Sequence, residues 1–300
     1  MPNYTTNAGT NFPAPLVSEM FSKVRSHSSI AKLSAQSPIP FSGITEFVFS
    51  MGGKAEIVGE GGEKHKNDAT VTPKVIRPLK FLYQHRVSDE FLRQSEEGQI
   101  PYLQAFADGF AKKIAEGFDI AAMHGVNPYD LAEASFKSTN SFDGLVTGNV
   151  VTYNAATIDA NIDAAIAMVN ADEGKVTGIA MSPTAGAALA AIKVNGVPQY
   201  PEYRFGQNPD AFYGMGSDVN TTVSVKEDGG SVTDHVILGD FADAFRWGYA
   251  ANIPLEVIEY GDPDGQNRDL KKYNEVVLRA EAYIGWGILD ADSFAIVHTA

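Results

Sequence analysis

Ser29-Ile30-Ala31-Lys32 places a lysine amine three residues after a serine hydroxyl, the spacing of a serine nucleophile activated by lysine. The pattern is short, and it lies in a stretch where no pocket is expected. Gly59-Glu60-Gly61-Gly62-Glu63-Lys64 could turn backbone N–H groups toward a phosphate, but no Gly-Lys-Ser/Thr closes it and no helix is expected after it. A flexible hairpin tip accounts for it better. Gly214-Met215-Gly216-Ser217 lacks the last glycine of a nucleophile elbow and the strand that would enter one. Asp262-Pro263-Asp264-Gly265 opens like a calcium loop, yet its glycine comes early and no glutamate closes it, so it reads as a β-turn. The 6 histidines, His27, His65, His85, His124, His235 and His298, are scattered, and none has a second ligand at helical or strand spacing. With 0 Cys there are no thiolate nucleophiles, thiolate metal sites or disulfides. No catalytic, cofactor-binding or metal-binding residue is assigned, and no cofactor is expected.

Composition narrows the function further. The 300 residues carry 23 Lys+Arg against 37 Asp+Glu, a formal net charge of -14. Nucleic-acid binding needs clustered cations to displace phosphate counterions, so it is not expected as the main activity. At 44% hydrophobic and 20% charged the chain can bury a real core, as one intertwined or two-lobed body. Residues 1–10 lack the cationic and apolar segments of a secretory signal, and no apolar run approaches the roughly 20 residues that span a bilayer. A cytoplasm-like compartment and no membrane are expected.

The elements that would carry any site follow from periodicity. Residues 1–40, punctuated by Pro13, Pro15, Pro38 and Pro40, read as an extended arm with a short helix at 16–24. Such an arm orders only against its own body or a neighbouring subunit. Strand-like residues 44–49 and 54–58, a polar tip at 59–70 and a return strand at 71–87 predict a projecting two-stranded hairpin, which in isolation is marginal in water. Ser88-Asp89-Glu90 starts a helix that Gly98 and Pro101 are expected to interrupt. Leu103, Phe106, Phe110, Ile114, Phe118 and Ala121 then recur at helical spacing, predicting an amphipathic helix over 101–124 of roughly 36 Å.

The middle of the chain reads as α/β. A helix carries Ile158, Ile162, Ile166 and Val169 and is closed by Gly174; a buried strand follows at 178–181, then a helix capped by Ser182-Pro183 and ended by the Asn195-Gly196 turn. Residues 197–217 have no periodic signal, and 232–238 resume strand character. Strands at 255–260, 274–288 and 294–297 complete the chain. An arm, a projecting hairpin and a long helix are features of a subunit whose interfaces complete its fold; the alternative is a monomer with loose extensions.

The order of these elements resembles the major capsid protein of tailed bacteriophages, whose fold is shared with encapsulin shells. Three stretches carry the resemblance across nearly the whole chain. Residues 56–92, with Val58-Gly59-Glu60-Gly61 before the tip and Val87-Ser88-Asp89-Glu90-Phe91-Leu92 after it, are similar to the family's extended loop entering its spine helix. Gly117-Phe118-Asp119-Ile120-Ala121-Ala122-Met123-His124-Gly125 resembles the end of that helix. Met181-Ser182-Pro183-Thr184 with Leu189, Gly239-Asp240-Phe241 and Val277-Leu278-Arg279-Ala280 resemble the axial-domain helix, the Gly-Asp-Phe turn and the late strand.

The resemblance implies an α+β fold with an N-terminal arm (1–50), an extended β-hairpin loop (51–87), a peripheral domain with the spine helix (88–126 and 254–288) and an axial α/β domain (127–253 and 289–300). It implies a structural, non-enzymatic protein that self-assembles into hexamers and pentamers, forming the icosahedral head that encloses a tailed-phage genome, in a virion assembled in the host cytoplasm. Residues 1–50 are not of the charged-helical scaffolding kind, so a separate scaffold protein is expected, together with a portal and decoration proteins. The acidic charge suits an inner wall that must not hold DNA tightly. The alternatives are an encapsulin-type compartment shell and, in another class, a hydrolase with an unrecognised site. Some family members cross-link a loop lysine to a peripheral-domain asparagine beside a glutamate base; here Lys64, Lys66, Asn274 and Glu281 are the residues such chemistry would use. The bland reading is that the lysines are solvated and Asn274 ends a turn.

Overall fold

A serine and a proline-rich strap start the described chain. The computed structural model describes residues 27–52, 55–90, 96–225, 234–250 and 255–299. Helix α1 (Ser29–Leu33) is capped by the Ser28 side chain, which accepts from the Ala31 N–H. After it, Ser37 donates to the Trp247 carbonyl at 2.8 Å and Ile39 is buried, so residues 27–40 lie on the protein's own body rather than forming a free arm. The helix expected at 16–24 falls outside the described residues.

Strands β1 (Ile44–Met51) and β2 (Ala69–Ile76) pair antiparallel from Ile44↔Ile76 to Met51↔Ala69. β3 (Leu79–Ser88) follows after Arg77-Pro78 and joins a different sheet. The ascending strand begins at Ile44, as the pattern at 44–49 indicates, but the single return strand expected over 71–87 is two strands, because Pro78 cannot donate to a continuing ladder.

Helix α2 (Glu96–His124) runs 29 residues through Gly98 and Pro101, about 43 Å, so the expected interruption is absent. Proline costs one intrahelical bond near the described start of the helix, and packing further along outweighs it. Short helices α3 (Lys137–Asn140) and α4 (Phe142–Leu145) lead to β4 (Val150–Thr152), α5 (Ile158–Ala171), β5 (Gly178–Met181) and α6 (Pro183–Ala191). Ser182 caps α6, accepting from Ala185 N–H, with Pro183 in its first turn.

The 197–217 stretch holds structure that periodicity could not show. β6 (Lys193–Val194) and β7 (Val197–Pro198) close on Asn195-Gly196, and β8 (Ala211–Phe212) and β9 (Met215–Val219) on Tyr213-Gly214. Both pairs of central residues have positive φ, as two-residue hairpin turns require. β10 (Asp234–Gly239), β11 (Phe245–Tyr249), β12 (Leu255–Ile258), α7 (Leu270–Tyr273), β13 (Glu275–Ile288) and β14 (Phe294–His298) complete the chain.

Two main sheets result. β13 carries β3 along one edge, with β11 and β12 on the other. The second is mixed, ordered β4-β14-β10-β5-β9-β8. Phe106, Phe110, Ile114 and Phe118 on one stripe of α2 are buried in a cluster with Trp247, Leu278 and Trp286 from the first sheet. The mixed sheet is covered on both faces: Ile179, Met181, Val236 and Leu238 pack with Ile158, Ile162 and Val169 of α5, while Ala180 and Ile237 between them join the α2 cluster. That strict alternation is the period of two expected of strand side chains, and it welds the two halves together.

Candidate functional site

The β1–β2 ribbon has two unlike faces. Ile44, Glu46 and Val48 turn partly inward, and Ile76 is buried against β13, where Gly285 and Gly287 leave it room. A Cβ on Gly287 would lie 2.7 Å from Ile76 Cγ1, so a side chain there and a seated ribbon are incompatible. The other face carries the pairs Thr45–Val75, Phe47–Pro73, Phe49–Val71 and Met51–Ala69. It is apolar and in solvent: Phe47 is 60% exposed, Phe49 65% and Met51 79%. Apolar side chains clustered on a projecting ribbon mark a protein contact, not a monomer surface.

At the tip, Glu56 accepts from the His65 N–H at 2.8 Å and meets its Nδ1 at 2.7 Å, which holds the Glu56 carboxyl below its usual range. Lys66 pairs with Asp68 in full solvent. Asn274 adopts the left-handed conformation that ends α7, and its carbonyl accepts from Asp89 N–H. Glu281 is taken by Lys80 at 2.6 Å. About seven strand residues, roughly 23 Å, separate Asn274 from Glu281, so within one subunit they cannot act as leaving group and base.

The other sequence candidates acquire structural roles. Ser29 is buried and donates to Asp218 Oδ2 at 2.6 Å, while Lys32 binds Asp218 Oδ1 at 3.0 Å and Asp210 at 2.9 Å. Burial opposes the charge on Lys32, but the two carboxylates prevail and raise its pKa, the reverse of what a serine-activating lysine needs. Asp264 and Asp262 close on Arg86 of β3: Arg86 Nε donates to Asp264 Oδ2 at 2.6 Å, and a second nitrogen meets Asp262 at 2.9 Å. The loop that opens like a calcium site is thus an arginine clamp, and the guanidinium holds the Asp264 carboxyl far below its usual range. Ser217 bonds the Tyr203 hydroxyl at 2.9 Å. The His235 ring stacks on Tyr153 at 3.7 Å between centroids.

Two buried polar centres were invisible to local spacing. Asp119, inside α2, accepts from the Ser29 N–H at 2.8 Å, the Ile30 N–H at 3.3 Å, the Ser28 hydroxyl at 2.5 Å and the Thr222 hydroxyl at 2.9 Å. It ties α1 to the spine helix. Burial pushes its carboxyl up to about 6, against the pull of those donors. One turn on, His124 ends α2, with Nδ1 3.0 Å from Asp143 Oδ2 and 3.3 Å from Asp234 Oδ2, and Nε2 2.9 Å from the Thr222 carbonyl. The histidines read as unpaired in the sequence therefore include one with two carboxylates, brought together by α2, α4 and β10. Burial alone would lower the His124 pKa, but the two carboxylates raise it to about 10. Desolvation and the Asp143 charge raise Asp234 to about 7, while His124 overcomes desolvation to lower Asp143, with help from Lys137.

Among the described residues no helix is long and apolar enough to cross a membrane. A long helix against a sheet built on one strand, a mixed α/β half and a projecting apolar-faced ribbon define a shell subunit, and the comparisons agree. The sequence model of the phage capsid family matches residues 9–298. A solved chain from Mycobacterium phage Ogopogo is 30% identical, with a TM-score of 0.75 over 100% of this chain and 96% of that one. One from Gordonia phage Cozz is 26% identical, with a TM-score of 0.68 over 93% and 86%. The capsid of a native GTA particle shares the fold, at 13% identity and a TM-score of 0.62 over 100% and 95%. No curated protein matches. The chain belongs to the phage capsid family. It is a structural protein of the virion that self-assembles into the capsid shell.

Proposed function

We propose that the apolar face of the β1–β2 ribbon is a principal contact by which this capsid protein joins its neighbours, and that the subunits form hexamers and pentamers of an icosahedral head. The observation that carries this reading is the solvent exposure of Phe47, Phe49 and Met51 on one face, opposite Pro73, Val71 and Ala69. The α2 and β13 half corresponds to the peripheral domain and the mixed-sheet half to the axial domain. The shell encloses DNA without reading its sequence, and the -14 charge keeps its wall from binding the genome tightly. A separate scaffold and a portal direct assembly in the host cytoplasm, decoration proteins bind the outer surface, and the protein performs no catalysis.

Deleting residues 59–68 tests the ribbon. The variant should fold as the parent does but yield few shells in electron micrographs, with and without a coexpressed scaffold. Shells in normal number and shape would overturn the reading.

A further inference from the structure

We propose that His124, Asp143 and Asp234 form a binding site for one divalent transition-metal ion, with Zn²⁺ as the best-fitting ion. Their ligand atoms all lie within 4.8 Å of one another. The Nδ1 to Oδ2 separations of 3.0 and 3.3 Å match the ligand–ligand edges of a tetrahedron with bonds of ~2.0–2.1 Å, about 3.3 Å. Nε2 faces the Thr222 carbonyl at 2.9 Å, the backbone contact that fixes the tautomer of a metal-binding histidine and leaves Nδ1 for the ion.

The carboxylates supply the independent sign of a missing partner. Asp143 Oδ1 and Asp234 Oδ2 are buried with no hydrogen bond, and Asp234 as a residue is only 2% exposed. Asp234 Oδ2 lies 3.3 Å from Nδ1 without a hydrogen bond of its own, so it sits in the cluster unsatisfied. Buried polar atoms left unpaired in this way call for an ion or a water. A divalent ion would bond both carboxylates directly, and Nδ1 would give its proton to solvent as the ion enters. Lys137 acts on Asp143 from the rim, but it also has Glu133 at 3.6 Å. One imidazole and two carboxylates suit Zn²⁺ better than Mg²⁺ or Ca²⁺, which prefer larger sets of oxygens. The ion would fasten the end of α2 to the first strand residue of β10, where the two halves meet.

The full chain, stripped with EDTA and titrated with Co²⁺, should bind one ion per chain with the intense visible spectrum of tetrahedral Co²⁺, displaced by Zn²⁺. Zn²⁺ should raise the melting temperature of the stripped protein by several degrees, and Mg²⁺ at the same concentration should not. Asp143→Asn and Asp234→Asn should each lose the spectrum and the Zn²⁺ shift. Absence of the tetrahedral spectrum from the parent, its survival in both variants, or equal shifts with Zn²⁺ and Mg²⁺ would overturn the site. If neither variant folds, the parent's spectrum and its Zn²⁺–Mg²⁺ difference decide.

Discussion

Phe49 stands directly across the β1–β2 ribbon from Val71, and both side chains face solvent. Together with Phe47 they form an apolar surface that none of the described residues covers. Replacing Phe47 and Phe49 together by Ser should change the stability of unassembled subunits by no more than about 0.5 kcal/mol per site, since exposed positions contribute little to a monomer. Assembly should be lost. Light scattering and electron microscopy check this, and normal shells from the double variant would count against the interface.

Phe110 is fully buried on the α2 stripe. Phe110→Ala should cost roughly 3–5 kcal/mol, from lost transfer energy and the cavity left behind. Urea unfolding of unassembled subunits measures it. An unchanged midpoint would mean the helix presents another face to the sheet.

Gly287→Ala should disturb the ribbon without touching its exposed face. The added methyl group meets Ile76 at 2.7 Å, closer than atoms pack. Overpacking of this kind costs roughly 1–3 kcal/mol. Protease sensitivity should rise around residues 44–76, and pairing the change with Ile76→Val, which trims the opposing side chain, should restore part of the loss.

Asp119 predicts a pH dependence with a definite sign. Its carboxyl is raised from 3.8 to about 6, so between those values the folded protein holds a proton that the unfolded chain has released. Stability contributed by this group falls as pH rises through that window and is level on either side, by on the order of 3 kcal/mol in all. Asp119→Asn should remove that component from a stability-versus-pH series. Identical slopes in parent and variant would contradict it.

Glu281 is committed to Lys80, and Asn274, which ends α7 just before β13, lies far from it along the chain. Mature particles boiled in detergent should therefore run as a single band near 32.2 kDa. A ladder would reveal a cross-link completed by another subunit's groups, and Asn274→Asp should then abolish it.

Local features of the chain were legible in the sequence because they depend on neighbours a few residues away. The spacing of Phe106, Phe110, Ile114 and Phe118 places them on one stripe of any helix, and Ser182-Pro183 caps one wherever it sits. The alternation in 255–260 and the short apolar run at 294–297 likewise need only a strand. The order of elements and the three stretches around 56–92, 117–125 and 181–280 carried the resemblance to capsid proteins. Pro101 misled, since its local cost is outweighed by burial of the long stripe that follows it.

Strand pairing and polar partners were settled only by the tertiary structure. Whether 79–88 continued the hairpin or joined β13 depends on which distant strand offers the longer ladder, and β13 pairs with all ten residues of β3. Asp119 finds Ser28 across 91 residues, and His124 finds Asp143 across 19. No spacing rule reaches that far, because those contacts exist only once α2 has packed between the two sheets and closed the loops that separate the partners.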